Sequence, residues 1–124
     1  MTAYLNTSGY LAGLPELRTS ANGNDYTRAR VLQTFRAKNT AGEWHDTATL
    51  GWDVIVTGRQ ARQLVEAATV NGNLGIQFAG RLQVRTYQRD DGTPGIAYEV
   101  MADTWAITPG QNAMIAKPPR QDTP

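Results

Sequence analysis

Arginine recurs at spacings of two and four in two stretches of this 124-residue chain, Arg28-Ala29-Arg30 and Arg81-Leu82-Gln83-Val84-Arg85, and the second runs on to Tyr87. In an extended chain alternate side chains share a face. Arg81, Gln83, Arg85 and Tyr87 therefore stand on one side of their segment, with Leu82 and Val84 on the other. Around the first pair, Thr27, Ala29 and Val31 point inward while Tyr26, Arg28 and Arg30 point outward. Guanidinium groups interleaved with an aromatic ring suit a ligand that carries evenly spaced negative charge and flat bases. Single-stranded nucleic acid is the first candidate, and four arginines on two outward edges favour phosphate contact over an ordinary solvated face.

Other chemistries find little support. The chain has no cysteine, which excludes disulfides and thiolate metal sites, and its one histidine, His45, reads as a surface residue beside Trp44. Nucleophilic catalysis needs an activating partner, and no phosphate-cradling glycine loop is present. Asp90 and Asp91 precede Gly92 as turn residues and not as a catalytic pair. The expectation is a protein that is no enzyme and carries no cofactor or metal. No leader and no apolar run of membrane-spanning length is seen, so a cytoplasmic, nucleoid-associated protein without a membrane partner is expected.

The elements that must position these residues follow from periodicity. Residues 3–10, 26–35, 44–56, 74–87 and 98–107 read as strands, with turns at Asn22-Gly23 and Arg89-Asp90-Asp91-Gly92. Lys38–Gly42 is a polar loop long enough for a flexible finger. Thr57-Gly58-Arg59-Gln60 fits a capping box, and Ala61, Leu64, Val65 and Ala68 form one face of a short helix that stops at Asn71-Gly72. Beyond Pro109 the sequence has no period and three further prolines, so 1–108 is expected to be the folded domain and 109–124 a loose tail. Three strands, a helix and two strands match an all-β, five-stranded OB-fold, a Greek-key barrel with one helix between its third and fourth strands. Charge is concentrated accordingly: residues 18–89 hold ten of the twelve Lys and Arg but five of the eleven acids, a net of +5 in a chain whose total is +1.

Several motifs, in order, resemble the bacterial and phage single-stranded-DNA-binding proteins. Gly9-Tyr10-Leu11-Ala12-Gly13-Leu14-Pro15-Glu16-Leu17-Arg18 is similar to that family's Gly-x-Leu-x-x-x-Pro-Glu-x-Arg. Gly42-Glu43-Trp44 resembles its Gly-x-Trp, Gly80 to Tyr87 its Gly-Arg-Leu-x-x-Arg-x-Tyr, and Glu99-Val100-Met101-Ala102-Asp103 its last strand. The likeness spans residues 3–107.

The resemblance implies a protein that coats single-stranded DNA without reading its sequence, in DNA replication, recombination and repair, as a homotetramer or dimer. It places Tyr87 where a stacking ring sits, with Trp52 near a second and Phe35 near a third. Phosphate contacts are then expected from Arg28, Arg30, Arg36, Lys38, Arg81 and Arg85, while Trp44 is expected to pack at the barrel base. The family's acidic, hydrophobic-ended tip is missing from Arg120-Gln121-Asp122-Thr123-Pro124, so recruitment of repair enzymes by that route is not expected, as in a phage or plasmid relative. Asn6-Thr7-Ser8 makes the first strand more polar than is usual for the family's dimer contact. The alternative is an OB-fold protein-interaction adaptor of the primosomal type, told apart by whether oligo-dT quenches the intrinsic fluorescence.

Overall fold

The computed structural model describes residues 3–108. Strands β1 (Ala3–Leu11), β2 (Leu17–Thr19), β3 (Asp25–Lys38) and β4 (Trp44–Thr57) are followed by helix α1 (Gly58–Val70), then β5 (Gly75–Gln88) and β6 (Pro94–Ile107). Strand β2 is an addition to the expected elements: its three residues adjoin a turn-rich cluster and carry no strand period of their own, and the hairpin with β3 draws them into the ladder, Leu17 opposite Thr27 and Thr19 opposite Asp25.

The hairpin turns at Ser20–Asn24, Asn39–Glu43 and Arg89–Thr93 share one build. In each the first N–H donates to the fifth carbonyl, at 2.8, 2.9 and 2.8 Å, and a glycine at the fourth place has positive φ (Gly23 82°, Gly42 81°, Gly92 85°). Only glycine takes that conformation without steric cost, which is why three sequences with little else in common close alike. The expected flexible loop at 38–42 is thus a compact turn, tightened by the Asn39 side chain, whose Oδ1 accepts from the N–H groups of Ala41 (3.0 Å) and Glu43 (2.9 Å). The long ladder behind it forms the finger: β3 and β4 pair from Tyr26 opposite Thr57 out to Lys38 opposite Trp44.

Strand order β1-β5-β6-β4-β3, closed by pairing of β1 with β3 at Tyr10–Leu32 and Leu11–Val31, makes a five-stranded barrel, with β2 appended outside β3. All pairings are antiparallel except β4 with β6, the crossover in which α1 lies between them in sequence. Closure leaves one interior, filled by Val31, Val54, Val56, Leu64, Leu74, Ile76, Phe78 and Val100, each essentially inaccessible to solvent. Each such side chain contributes about 1.5–3 kcal/mol of hydrophobic stabilisation. The alternation read from the sequence holds, with Thr27, Ala29 and Val31 inside and Arg28 and Arg30 outside. Thr27 is satisfied inside because its hydroxyl donates to the Glu16 carbonyl at 2.7 Å.

Helix α1 buries Ala61, Leu64, Ala67 and Ala68, so Ala67 takes a fully buried place where Val65 was expected. The capping box does not form. Thr57 occupies the N-cap but makes no side-chain cap bond, and Gln60 instead donates to the Asp103 carbonyl at 3.0 Å, while its own carbonyl accepts from Trp105 Nε1 at 3.1 Å. These bonds tie the first turn of the helix to β6. The tail expected over 109–124 lies outside the described residues.

Candidate nucleic-acid interface

The outer face of β5-β6-β4-β3 carries the arginines in register. One row across the strands runs Arg30, Asp53, Glu99, Gln83, and the next Arg28, Ile55, Met101, Arg81. Four strands at about 4.8 Å spacing put the ends of a row roughly 14 Å apart. Arg81, which makes no ion pair among the described residues, therefore shares the face with Arg28 from its opposite side.

Charge ties the acids of the first row to arginines of the rows on either side. Arg85 Nη2 lies 2.7 Å and Arg28 Nη2 3.5 Å from Glu99 Oε1. Arg28 Nη2 also lies 3.7 Å from Asp53 Oδ2, and Arg30 Nη1 donates to Asp53 Oδ1 at 3.1 Å. Three cations from β3 and β5 thus surround two acids from β4 and β6, leaving one net positive charge in the cluster. The acids sit deeper than the cations, with side chains 18% (Asp53) and 10% (Glu99) exposed, so guanidinium groups form the outermost layer. A phosphate approaching this face meets N–H donors first. Asp53 and Glu99 were not among the residues expected here, since no local pattern links two acids separated by a helix and a strand.

Tyr87 continues the same side of β5 and is 48% exposed. It stands opposite Gly95, and its ring covers the spot where a Cβ on Gly95 would lie, 2.6 Å from Tyr87 Cζ. Arg89, whose guanidinium is 5.9 Å from the ring centroid, donates to the Pro94 carbonyl and steadies the hairpin end. An exposed ring supported by backbone below and a cation beside it is a platform for a flat base.

Further out on the β3-β4 finger, Arg36 pairs with the exposed Asp46 at 3.3 Å, and the Lys38 ammonium stands 5.3 Å from the centre of the Trp44 ring. A register shift between Phe35 and Arg36 gives β4 the extra residue Thr47, so Arg36 stays on the arginine side of β3 and Phe35, exposed, on the other. The structure thus brings Arg28, Arg30 and Arg85 into contact through shared acids, adds Arg81 and Tyr87 on their face, sets Arg36 and Lys38 on the finger, and leaves Phe35 apart.

Two tryptophans exchange the places expected for them. Trp52 is core, 7% exposed, edge-on to Phe78 and Tyr98 at 6.4 and 5.6 Å between centroids, with its Nε1 donating to Gln33 Oε1 at 3.0 Å. The reason is parity: Trp52, Val54 and Val56 alternate on the inner side, so a ring at 52 cannot reach the outer face. Trp44, expected to close the barrel base, is 59% exposed at the finger tip, because β3 and β4 run on past the end of the barrel. It is a candidate stacking ring that the sequence reading missed; the signal was its place directly after a turn glycine, in cross-strand register with a lysine.

The model of the single-strand binding protein family matches residues 5–108. Solved structures share the fold, two of them single-stranded-DNA-binding proteins. One is the small single-stranded DNA-binding protein from Streptomyces coelicolor, at 22% identity and TM-score 0.71 over 87% of this chain and 95% of that one. The other is a deletion mutant of the single-stranded DNA binding protein from Thermus aquaticus, at 17% identity and TM-score 0.62, where 91% of this chain spans 53% of that one. A search of curated protein sequences found no match.

Proposed function

The chain belongs to the single-strand binding protein family, and from that membership we propose that it coats single-stranded DNA without reading sequence, serving replication, recombination and repair, through the outer face of β3-β4-β6-β5. The observation that carries the reading is the convergence of Arg28 from β3 and Arg85 from β5 on one carboxylate, Glu99, beside an exposed Tyr87. This gathers cations from sequence-distant strands on a single surface, with a ring at its edge. Backbone phosphates would lie along Arg28, Arg30, Arg81 and Arg85, and bases would stack on Tyr87 and Trp44, with Arg36 and Lys38 guiding the strand along the finger. Phosphate contact and stacking are both indifferent to base identity.

No step of chemistry is proposed, in keeping with a family whose members bind DNA and are not enzymes. Assembly as a tetramer or dimer and a nucleoid-associated, cytoplasmic setting belong to the same proposal; among the described residues no helix is long and apolar enough to cross a membrane. The test is a titration with oligo-dT followed by intrinsic fluorescence, paired with light scattering. Quenching that saturates and weakens as salt rises supports the reading. No quenching at low salt overturns it and favours the protein-interaction barrel.

A further inference from the structure

Acids in the middle of a phosphate-binding face should, by charge alone, weaken it. We infer that Glu99, buried, and Asp53, partly buried, instead act as positioning residues whose carboxylates hold the Arg28, Arg30 and Arg85 guanidiniums in fixed places for the nucleic-acid contact; the inference rests on the single-strand reading of this face.

Three observations carry it. The acids lie beneath the cations, so the strand does not meet them directly. Glu99 Oε1 is shared by Arg28 and Arg85, which come from β3 and β5 and are not neighbours in the sheet; the carboxylate on β6 joins them into one site. The contacts also leave donors over: a guanidinium has five N–H groups, and Arg28 uses Nη2 for both of its ion pairs. A long side chain held before binding loses less freedom when the ligand arrives. Arg30 is held twice, by Asp53 and by the gap above Gly51, where a Cβ would stand 2.8 Å from its Nε.

The test compares wild type with Glu99→Gln in oligo-dT titrations at several salt concentrations. Glu99→Gln raises the net charge by one, so an acid that merely neutralised the face would give tighter binding and a steeper salt dependence on removal. A positioning role gives the opposite: binding roughly two- to fivefold weaker, the scale of half-exposed ion pairs, with a shallower salt slope because a cation no longer held in reach releases no counterion. Equal or tighter binding overturns the inference. So does weaker binding with an unchanged or steeper slope, which is what general loosening of the fold would produce. If Glu99→Gln does not fold by circular dichroism, Asp53→Asn, at the shallower acid, is read by the same criteria. A wild-type protein that does not bind oligo-dT overturns the single-strand reading and this inference together, and the wild-type titration alone distinguishes that case.

Discussion

The guanidinium of Arg30 lies over the bare Cα of Gly51, filling the place a Cβ would take, while its Nη1 reaches Asp53 at 3.1 Å. A methyl group there must push the arginine aside. Because the displaced group is the end of a flexible side chain and not backbone, Gly51→Ala is expected to leave stability within about 0.5 kcal/mol of wild type, as surface changes usually do. It should still weaken oligo-dT binding, because Arg30 loses its seat. Thermal unfolding beside a fluorescence titration checks both; unchanged affinity would remove Arg30 from the interface.

Tyr87 is half exposed, packed over Gly95 with Arg89 beside it, and is not part of the buried core, so its ring contributes little to folding. Tyr87→Ala is expected to cost about 1–3 kcal/mol of single-strand binding, the worth of one stacked base, and Tyr87→Phe much less. Wild-type affinity in the alanine variant would show that the ring lies off the strand's path.

The tryptophans should separate folding from binding. Trp52→Ala removes a core ring and is expected to destabilise by about 3–5 kcal/mol, read as a lower denaturation midpoint. Trp44→Ala leaves the core untouched and should cost about 1–3 kcal/mol of DNA affinity instead. In single-tryptophan variants, quenching by oligo-dT should follow Trp44 and spare Trp52.

At Gly80 the backbone of β6 lies where a side chain on β5 would stand. A Cβ there would lie 2.7 Å from Ala102 Cα and closer still to the Met101 carbonyl oxygen, both backbone atoms that cannot swing away. Gly80→Ala is expected to lower stability by about 1–3 kcal/mol or more, as overpacking does. Urea denaturation measures the loss, and a neutral result would mean that the register shift between Ala79 and Gly80 absorbs the methyl group.

The β5-β6 turn should report on pH. The Thr93 hydroxyl and N–H both donate to Asp91 Oδ1, at 2.6 and 3.0 Å, and hold that carboxyl below its ordinary value. A carboxyl lowered by folding adds stability that is present above its unfolded pKa, near 3.9, and lost as pH falls through the lower folded value. An NMR titration should place the Asp91 midpoint below the ordinary aspartate value, and Thr93→Ala should bring it back up.

Much of this molecule could be read along the chain because its signals are local. The inward and outward sides of residues 26–31 and 76–82 follow from a two-residue period that one buried face enforces; past Leu82 the strand outruns the core, and Val84, read as apolar and inward, is exposed. The turns follow from glycines at positive φ, and the helix from its small apolar stripe. The same parity puts Trp52 inside with Val54 and Val56, against the expectation, carried over from the family, that its ring would stack on a base.

What no local pattern could supply is which strands become neighbours. Glu99 meets Arg28 only because β6 lies beside β4 in parallel and β4 beside β3, an order set by closing the barrel over one shared core and not by any segment's own preference. The exposure of Trp44 is likewise a consequence of how far the β3-β4 ladder outruns the barrel, a length decided by what the other strands leave uncovered. The residues and their faces were thus fixed by sequence, through the geometry of an extended chain. Their gathering into one charged surface was decided by tertiary structure, because the contacts that unite them join residues 14 to 71 positions apart.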